Sequence, residues 1–217
     1  MKNKRGMKNG FTLAEVLITL VIIGVIAAMT IPTLMNNTNK QEYVTALKKG
    51  YSVLSLATNR IIAEEGSPKN GWLETGNIDS IYNRYKKYLN IAKDCGSGTG
   101  CLDSSGYKSY FDVSGGWNFE HTRYRKIVLS DGMQVIFGDN PLNNACTKNE
   151  WGTTQICSTI YIDVNGHKKP NKYGIDFFVF AVKENGLYPM GCESAYCEGT
   201  YGDGCTCKVL REGAMNY

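Results

Sequence analysis

The sequence predicts an α+β protein in which a long N-terminal helix precedes a small antiparallel sheet. Three observations lead to this prediction. An apolar run of helical length covers residues 11–31, an amphipathic stripe extends it to about residue 65, and short β-rich runs with turn signals follow residue 125. A chain of 217 residues has room for one ordinary domain plus an appended helix.

Residues 1–10 form a short basic leader, and translation from Met7 instead of Met1 would leave only four residues of it. The leader accounts for the whole formal net charge of +4, because without its four basic residues the chain has 20 basic and 20 acidic residues. No excess positive charge remains to bind phosphate backbones, so we expect no nucleic-acid partner. The four are Lys2, Lys4, Arg5 and Lys8.

Residues 11–32 are assigned to a membrane-spanning helix. The apolar run 11–31 contains one charge and as a helix would extend about 31 Å, which matches the hydrocarbon thickness of a bilayer. The positive-inside rule keeps the basic leader in the cytoplasm and sends the C-terminal bulk outward. A secretory signal peptide also begins with basic residues, but its apolar core is about 7 to 15 residues long, and Ala27-Ala28-Met29 is a poor cleavage site.

Glu15 is the unusual residue of this run. A lone carboxylate near mid-bilayer costs about 2.5 to 3.5 kcal/mol, and less near an interface, so a compensating partner is expected. A cut between Gly10 and Phe11 would place a new α-amino group one helical turn from Glu15, where the two could pair within a chain or between neighbours. The alternative is a carboxylate that snorkels to the headgroups of an ordinary anchor.

The residues Lys8-Asn-Gly10 followed by Phe11-Thr-Leu-Ala-Glu15 resemble the processing site of type IV prepilins and type II secretion pseudopilins. The shared features are the basic leader, a glycine before the cut, a phenylalanine after it, a glutamate as fifth residue of the product, and a proline beyond the apolar core. The resemblance implies that a prepilin peptidase cleaves after Gly10 and methylates the N-terminus of Phe11. It also implies that Glu15 helps to dock an incoming subunit in a filament.

Two residues are expected to make the apolar helix easier to bend. Pro32 lacks the N–H that would bond to the carbonyl of Ala28, and its ring crowds that turn, so we expect a kink or a melted turn there. Gly24 is a second position at which the helix is expected to bend. The small side chains around it allow helices to approach closely in lipid or in a filament core.

The helix is predicted to continue as an amphipathic segment over residues 33–65. Apolar side chains recur there at steps of three, four or seven until Gly66-Ser-Pro68 ends the pattern. Such a stripe usually packs on its own domain, so we interpret it as the seam between the helix and a head. Its members are Val44, Leu47, Tyr51, Leu54 and Ile61.

The head is predicted over residues 66–217. Helical spacing covers residues 78–92, and strand-like runs cover 127–129, 133–137, 158–164 and 175–182. Asp131-Gly132 lies between the first two runs and is a hairpin signal. A long helix on a small antiparallel sheet resembles the arrangement in pilin heads.

Eight cysteines lie downstream of the apolar run. An even number on one side of a membrane span indicates disulfides formed in an oxidising compartment, and Cys95–Cys101 and Cys146–Cys157 are the simplest local pairs. The alternative is a zinc site formed by the last four, although they lack the C-x2-C pairs of common structural sites. Those four are Cys192, Cys197, Cys205 and Cys207.

Residues 161–178 are similar to a stretch found in many pseudopilin-like heads. Their oxygen-bearing side chains Asp163, Asn165 and Asp176 could bind calcium, which takes six to eight oxygen ligands. An EF-hand does not fit, because a histidine and a lysine occupy positions where a ligand and the turn glycine belong. Turn formation by the same Asp, Asn and Gly residues is the alternative.

We expect no enzyme, because neither histidine belongs to a catalytic pattern and no nucleophile elbow, Walker A or zincin motif is present. The resemblance implies a structural subunit of a type IV pilus-like or type II secretion pseudopilus filament, with its head outside the cytoplasmic membrane. Its implied partners are prepilin peptidase, other pilin or pseudopilin subunits, an inner-membrane assembly platform and membrane lipid. The alternative function is a single-pass anchored protein whose head binds a ligand or surface.

Overall fold

The computed structural model describes residues 11–109, 118–138, 142–192, 197, 202 and 204–217. Gly10, the predicted residue before the cut, lies outside these ranges, as does the leader. Contacts divide the chain into two units, residues 1–39 and residues 40–217, and each is described by itself.

The described part of the first unit belongs almost wholly to one helix, α1 (Leu13–Glu65), which continues into the second unit. The stretch Leu13–Pro32 is long and apolar enough to cross a membrane. The helix is continuous through Gly24 and Pro32, so the prediction of a melted turn at Pro32 is wrong. Proline removes a single backbone N–H, and the bonds on either side of it keep the helix continuous. A bend at Pro32 stays a prediction.

In the second unit, α1 presents the predicted apolar stripe to the core. Four stripe residues are buried and Tyr51 is half-buried, because side chains three and four positions apart share a helix face. Tyr51 stacks on Phe180 of the sheet with ring centroids 5.5 Å apart. The helix ends at Glu65, immediately before the Gly66-Ser-Pro68 signal, as predicted. The four are Val44, Leu47, Leu54 and Ile61.

Within the described residues, eight strands and two short α-helices follow α1, together with a π-helical turn at Pro68–Trp72. The helices are α2 (Asp79–Lys86) and α3 (Cys205–Glu212). The strands are β1 (Ile91–Gly96), β2 (Arg125–Leu129), β3 (Gln134–Phe137), β4 (Lys148–Glu150), β5 (Thr153–Ile156), β6 (Ser158–Asp163), β7 (Phe177–Lys183) and β8 (Gly186–Pro189).

Six of these strands form one antiparallel sheet in the order β1-β2-β3-β6-β7-β8, and β4 pairs only with β5. The predicted hairpin at Asp131-Gly132 joins β2 to β3, with Ile127 opposite Val135. Strands β6 and β7 also pair, with Ile160 opposite Phe180. The predicted α+β fold class, a long helix with a small antiparallel sheet, is therefore confirmed.

Strand β7 is buried on both faces. Phe178, Phe180 and Val182 belong to the apolar cluster that includes the α1 stripe. The alternate residues Phe177, Val179 and Ala181 belong to a second cluster formed with loop residues from 101–124 and with Met190. Because successive strand residues point to opposite faces, the continuous apolar run of β7 requires a cover on each side of the sheet.

The predicted helix over residues 78–92 is too long. The structure ends α2 at Lys86, and Ile91 begins β1, where it pairs with Leu129 of β2. Ile81, Tyr85 and Leu89 are all buried, so the helical spacing of apolar residues continues past the end of the helix. Non-local strand pairing therefore decides the structure of this segment, which periodicity alone left open.

All eight cysteines form disulfides, and some of these add to the apolar clusters: Cys101 belongs to the loop-side cluster, whereas Cys146 and Cys157 belong to the cluster of the α1 stripe. Cys95–Cys101 and Cys146–Cys157 are the two local pairs named from the sequence. The last four cysteines pair as Cys192–Cys207 and Cys197–Cys205, so the zinc alternative is wrong for them.

Gly50 controls how closely α1 approaches the sheet. A Cβ atom at this position would lie 2.6 Å from Ile162 Cδ1 and 3.4 Å from Met133 Sδ. Glycine therefore provides the space in which the helix and β6 meet.

Gly50→Val should lower the free energy of unfolding by about 1–3 kcal/mol, because overpacking a buried contact displaces the side chains around it. Denaturant unfolding followed by the fluorescence of the buried Trp72 measures this change. Gly24→Val is the matched control, since a Cβ at that helical glycine meets no atom within 4 Å. Equal stability of the Gly50 variant and the wild type would contradict the close approach.

Candidate functional site

Glu15 is held at the start of α1 by a reciprocal capping box with Thr12. The Glu15 Oε2 atom accepts hydrogen bonds from the Thr12 backbone N–H and the Thr12 hydroxyl, both at 2.8 Å. In return, the Glu15 backbone N–H donates to Thr12 Oγ1 at 3.2 Å. A threonine at the N-cap and a glutamate at the third helical position satisfy two otherwise unpaired N–H groups in this way.

Thr12 was not among the predicted site residues, although the sequence contains the pattern that identifies it. A threonine three residues before a glutamate, ahead of an apolar run, is the sequence signature of a capping box. The capping box gives Glu15 a role in starting the helix that does not depend on cleavage. Among the described residues, both side-chain bonds go to Oε2, so Oε1 has lone pairs for a further donor.

The first unit exposes a continuous apolar surface. Phe11, the predicted first residue after the cut, is 90% exposed, and large apolar side chains along the helix are exposed as far as Met35. Soluble monomers rarely expose so much contiguous apolar area, and such surfaces contact membranes or other proteins. Within the first unit, Glu15 is the acidic residue of this surface.

The three predicted calcium ligands lie together in the loop between β6 and β7. Asp163 ends β6, Asp176 precedes β7, and both are fully buried. The Asn165 Nδ2 group donates to Asp176 Oδ2 at 3.0 Å. The sequence therefore identified residues that the fold places in contact.

Most of the hydrogen bonds that the two buried carboxylates accept stabilise turns within the loop. Asp163 Oδ1 accepts the backbone N–H groups of Asn165 and Gly166 at 3.1 and 3.0 Å. Asp176 accepts the N–H of Asn171 at 2.8 Å through Oδ2 and that of Lys172 at 2.7 Å through Oδ1. These bonds are what buried Asp side chains make in turns, and they account for three of the four carboxylate oxygens.

Other buried oxygens in the loop have no protein hydrogen-bond partner. They are Asp163 Oδ2, Asn165 Oδ1 and Asn171 Oδ1. Asn171 was not among the predicted ligands, because nothing in the sequence distinguishes it from a turn residue. The Tyr107 hydroxyl donates to Gln134 Oε1 at 3.0 Å, and it also lies close enough to Asp163 for a hydrogen-bond interaction that lowers the pKa of that carboxyl against the larger increase caused by burial. Buried acceptors without donors are uncommon and point to a bound ion or water.

Electrostatics also favour a positive charge at this position. Burial raises the pKa of Asp163 well above its usual range, and the neighbouring Asp176 carboxylate raises it further. Burial likewise raises the pKa of Asp176. The described residues contain no group of three or more His, Cys, Asp or Glu that could hold a metal, so amide oxygens would have to complete a cation site.

Comparison with known protein families matched residues 1–31 to the prokaryotic N-terminal methylation motif. No match was found among curated proteins or solved structures. The matched residues include the basic leader, the Gly10–Phe11 bond, Glu15 and the whole apolar run over residues 11–31. The chain thus carries a prepilin-type methylation motif, typical of type IV pilins and pseudopilins, ahead of an α+β head with four disulfides.

Proposed function

We propose that this protein is a structural subunit of a type IV pilus-like or type II secretion pseudopilus filament. The observation that carries the proposal is the methylation motif over residues 1–31, which overlaps a helix apolar enough to span a membrane. Proteins with this motif are typically not enzymes, and a structural role agrees with that. The described structure supplies a membrane segment and a disulfide-bonded head, which are the two parts that such a subunit needs.

The proposed subunit has four segments. Residues 1–10 are a leader removed by prepilin peptidase, and residues 11–32 are the membrane and filament-core helix. Residues 33–65 continue this helix as the amphipathic part that packs on the head, and residues 66–217 form the head. In the precursor, the head lies outside the cytoplasmic membrane and lipid surrounds the apolar helix.

Cleavage between Gly10 and Phe11 would place a cationic amino group next to an existing hydrogen-bond site. Thr12 already binds one oxygen of Glu15, so the new N-terminus on the preceding residue could reach the other oxygen or that of a neighbouring subunit. A charge pair in lipid is tolerated where a single carboxylate is costly. We propose that this pairing aligns an incoming subunit.

Filament growth then requires contacts between subunits that repeat along the filament without closing into a ring. Head-to-tail contacts between two different, complementary surfaces of the subunit generate open helical polymers when the rotation does not close a ring. The exposed apolar face of the first unit would be buried against equivalent helices, and Gly24 permits close approach between them. An inner-membrane assembly platform would supply the subunits, which can be homologous or identical.

We also propose that the β6–β7 loop binds calcium through Asp163, Asn165, Asp176 and Asn171. The specific observation is the set of buried oxygens without donors, which turn formation does not explain. Calcium accepts carboxylate and amide oxygens together, and its charge would offset the burial of two carboxylates.

The proposed processing determines which residue begins the mature protein. In cells with active prepilin peptidase, mass spectrometry of the purified protein should find N-methylated Phe11 as the first residue. In cells without the peptidase, the same protein should keep its leader and begin at Met1 or Met7. A retained leader in peptidase-positive cells would contradict processing.

Glu15→Leu should abolish assembly while membrane insertion stays at least as efficient, because the substitution removes a charge that costs about 2.5 to 3.5 kcal/mol near mid-bilayer. Immunoblots of sheared filaments and of membrane fractions measure the two effects. Val16→Leu is the matched control, since it alters an exposed neighbouring residue of the same helix and should assemble normally. Normal assembly of the Glu15 variant would favour the alternative function, a tethered binding protein.

Calcium should raise the melting temperature of the protein by about 5 °C or more at one hundred times its Kd, relative to the same sample with EDTA. Asp163→Asn should remove this increase, because the amide keeps an oxygen for the turn N–H groups but lacks the unpaired anionic oxygen. Asp131→Asn is the control, since Asp131 pairs with Lys49 outside the loop. Identical melting curves with and without calcium would show that the loop is only a turn.

A further inference from the structure

Three loops of the head line an open surface cavity of about 190 Å³. They are the turn at residues 68–72, the segment from Cys146 through β5, and the turn between β7 and β8. All three belong to the second unit. The polar lining residues are Lys69, Gln155, Lys183, Glu184, Asn185 and Tyr188.

The loops around this cavity are fixed to one another. Lys69 Nζ pairs with Glu184 Oε2 at 3.0 Å and thereby joins the first loop to the third. The N–H of Asn70 donates to the carbonyl of Asn144 at 2.8 Å, which joins the first loop to the second. The Cys146–Cys157 disulfide closes the second loop at the cavity wall. A cavity held in this way is organised before any ligand arrives, which reduces the ordering cost of binding.

Backbone conformation at the cavity is unusual. The lining residues Cys146 and Gln155 have φ of 54° and 58°, and Asn70 beside Lys69 has φ of 52°. Such conformations cost on the order of 1–3 kcal/mol for a non-glycine residue and cluster at binding sites. The turn between β4 and β5 does not account for them, because Trp151 and Gly152 are its central residues.

The charged groups of the lining are already engaged within the protein. Lys69 pairs with Glu184, and Lys183 lies over the ring of Tyr188, so a charged ligand would have to displace one of these contacts. Gln155 and Asn185 each offer both a donor and an acceptor. The lining therefore suits an uncharged ligand that carries several hydroxyl groups.

Tyr188 adds an apolar surface to these polar groups. Its side chain is 42% exposed, and in the described second unit only Leu56 is another large apolar residue with comparable exposure. Lys183 Nζ lies 5.2 Å from the ring centroid and orients the ring. An aromatic face beside amide groups matches a molecule with C–H groups on one face and hydroxyl groups at its edge.

We propose that this cavity binds a single uncharged sugar residue. A pyranose ring has an apolar C–H face for Tyr188 and equatorial hydroxyl groups for Gln155 and Asn185. The cavity is smaller than the roughly 300–1,000 Å³ of pockets for drug-sized ligands, so it holds one ring of a glycan and not an extended chain. The site lies within the head and functions whether or not the protein assembles into filaments.

Saturation-transfer NMR on the full-length protein in lipid nanodiscs tests this proposal, because nanodiscs avoid sugar-based detergents. The probes are glucose, galactose, mannose and N-acetylglucosamine at millimolar concentration. At least one should receive saturation at its ring protons. Tyr188→Ala and Asn185→Ala should each weaken its binding by about tenfold or more, the size of one lost contact of 1.4 kcal/mol. Tyr188→Phe should retain most of the binding.

The control is Leu56→Ala, which removes an exposed apolar side chain elsewhere on the second unit and should bind like the wild type. Near-UV circular dichroism checks that each variant keeps its fold. Saturation transfer to none of the four sugars would overturn the proposal, and so would binding that persists unchanged in both Tyr188→Ala and Asn185→Ala. Glucuronic acid, an anionic sugar, is tested in the same way. Saturation transfer to glucuronic acid alone would overturn the proposal that the ligand is uncharged.

Discussion

Burial of β7 on both faces is the constraint on which the second unit depends. Its odd and even positions enter different apolar clusters, so neither face of the sheet can be left to solvent. The α1 stripe covers one face, and it can do so closely because Gly50 has no side chain. The other face is covered by loops, which lack regular backbone pairing and are constrained by the Cys95–Cys101 disulfide.

The start of α1 has two requirements that one residue pair meets. A helix in lipid must satisfy its first N–H groups, and a carboxylate in lipid needs donors. Thr12 and Glu15 meet both needs with the same three hydrogen bonds. The proposed pairing of Glu15 with a freed N-terminus would therefore add to an arrangement that is present in the uncut chain, and helix initiation would not compete with the proposed assembly role of this residue.

Local patterns in the sequence were sufficient for much of the fold. Helix α1 and its end at Glu65, the β2–β3 hairpin and the two short-range disulfides follow from periodicity, turn residues and close spacing. The end of α2 and the start of β1 were missed, because pairing with β2 decides them. Asn171 was missed because nothing in the sequence distinguishes it from a turn residue, and the Tyr188 cavity was missed because it joins residues that are distant along the chain.

The four disulfides impose an order on biogenesis. Thiols stay reduced in the cytoplasm, so the disulfide-bonded head cannot be completed until the chain has crossed the membrane and met an oxidant. The apolar helix needs no such step and is ready as soon as it enters the bilayer. Export would therefore produce a protein whose apolar helix matures before its head, and oxidative folding would set the earliest moment at which the finished head surface becomes available to any partner.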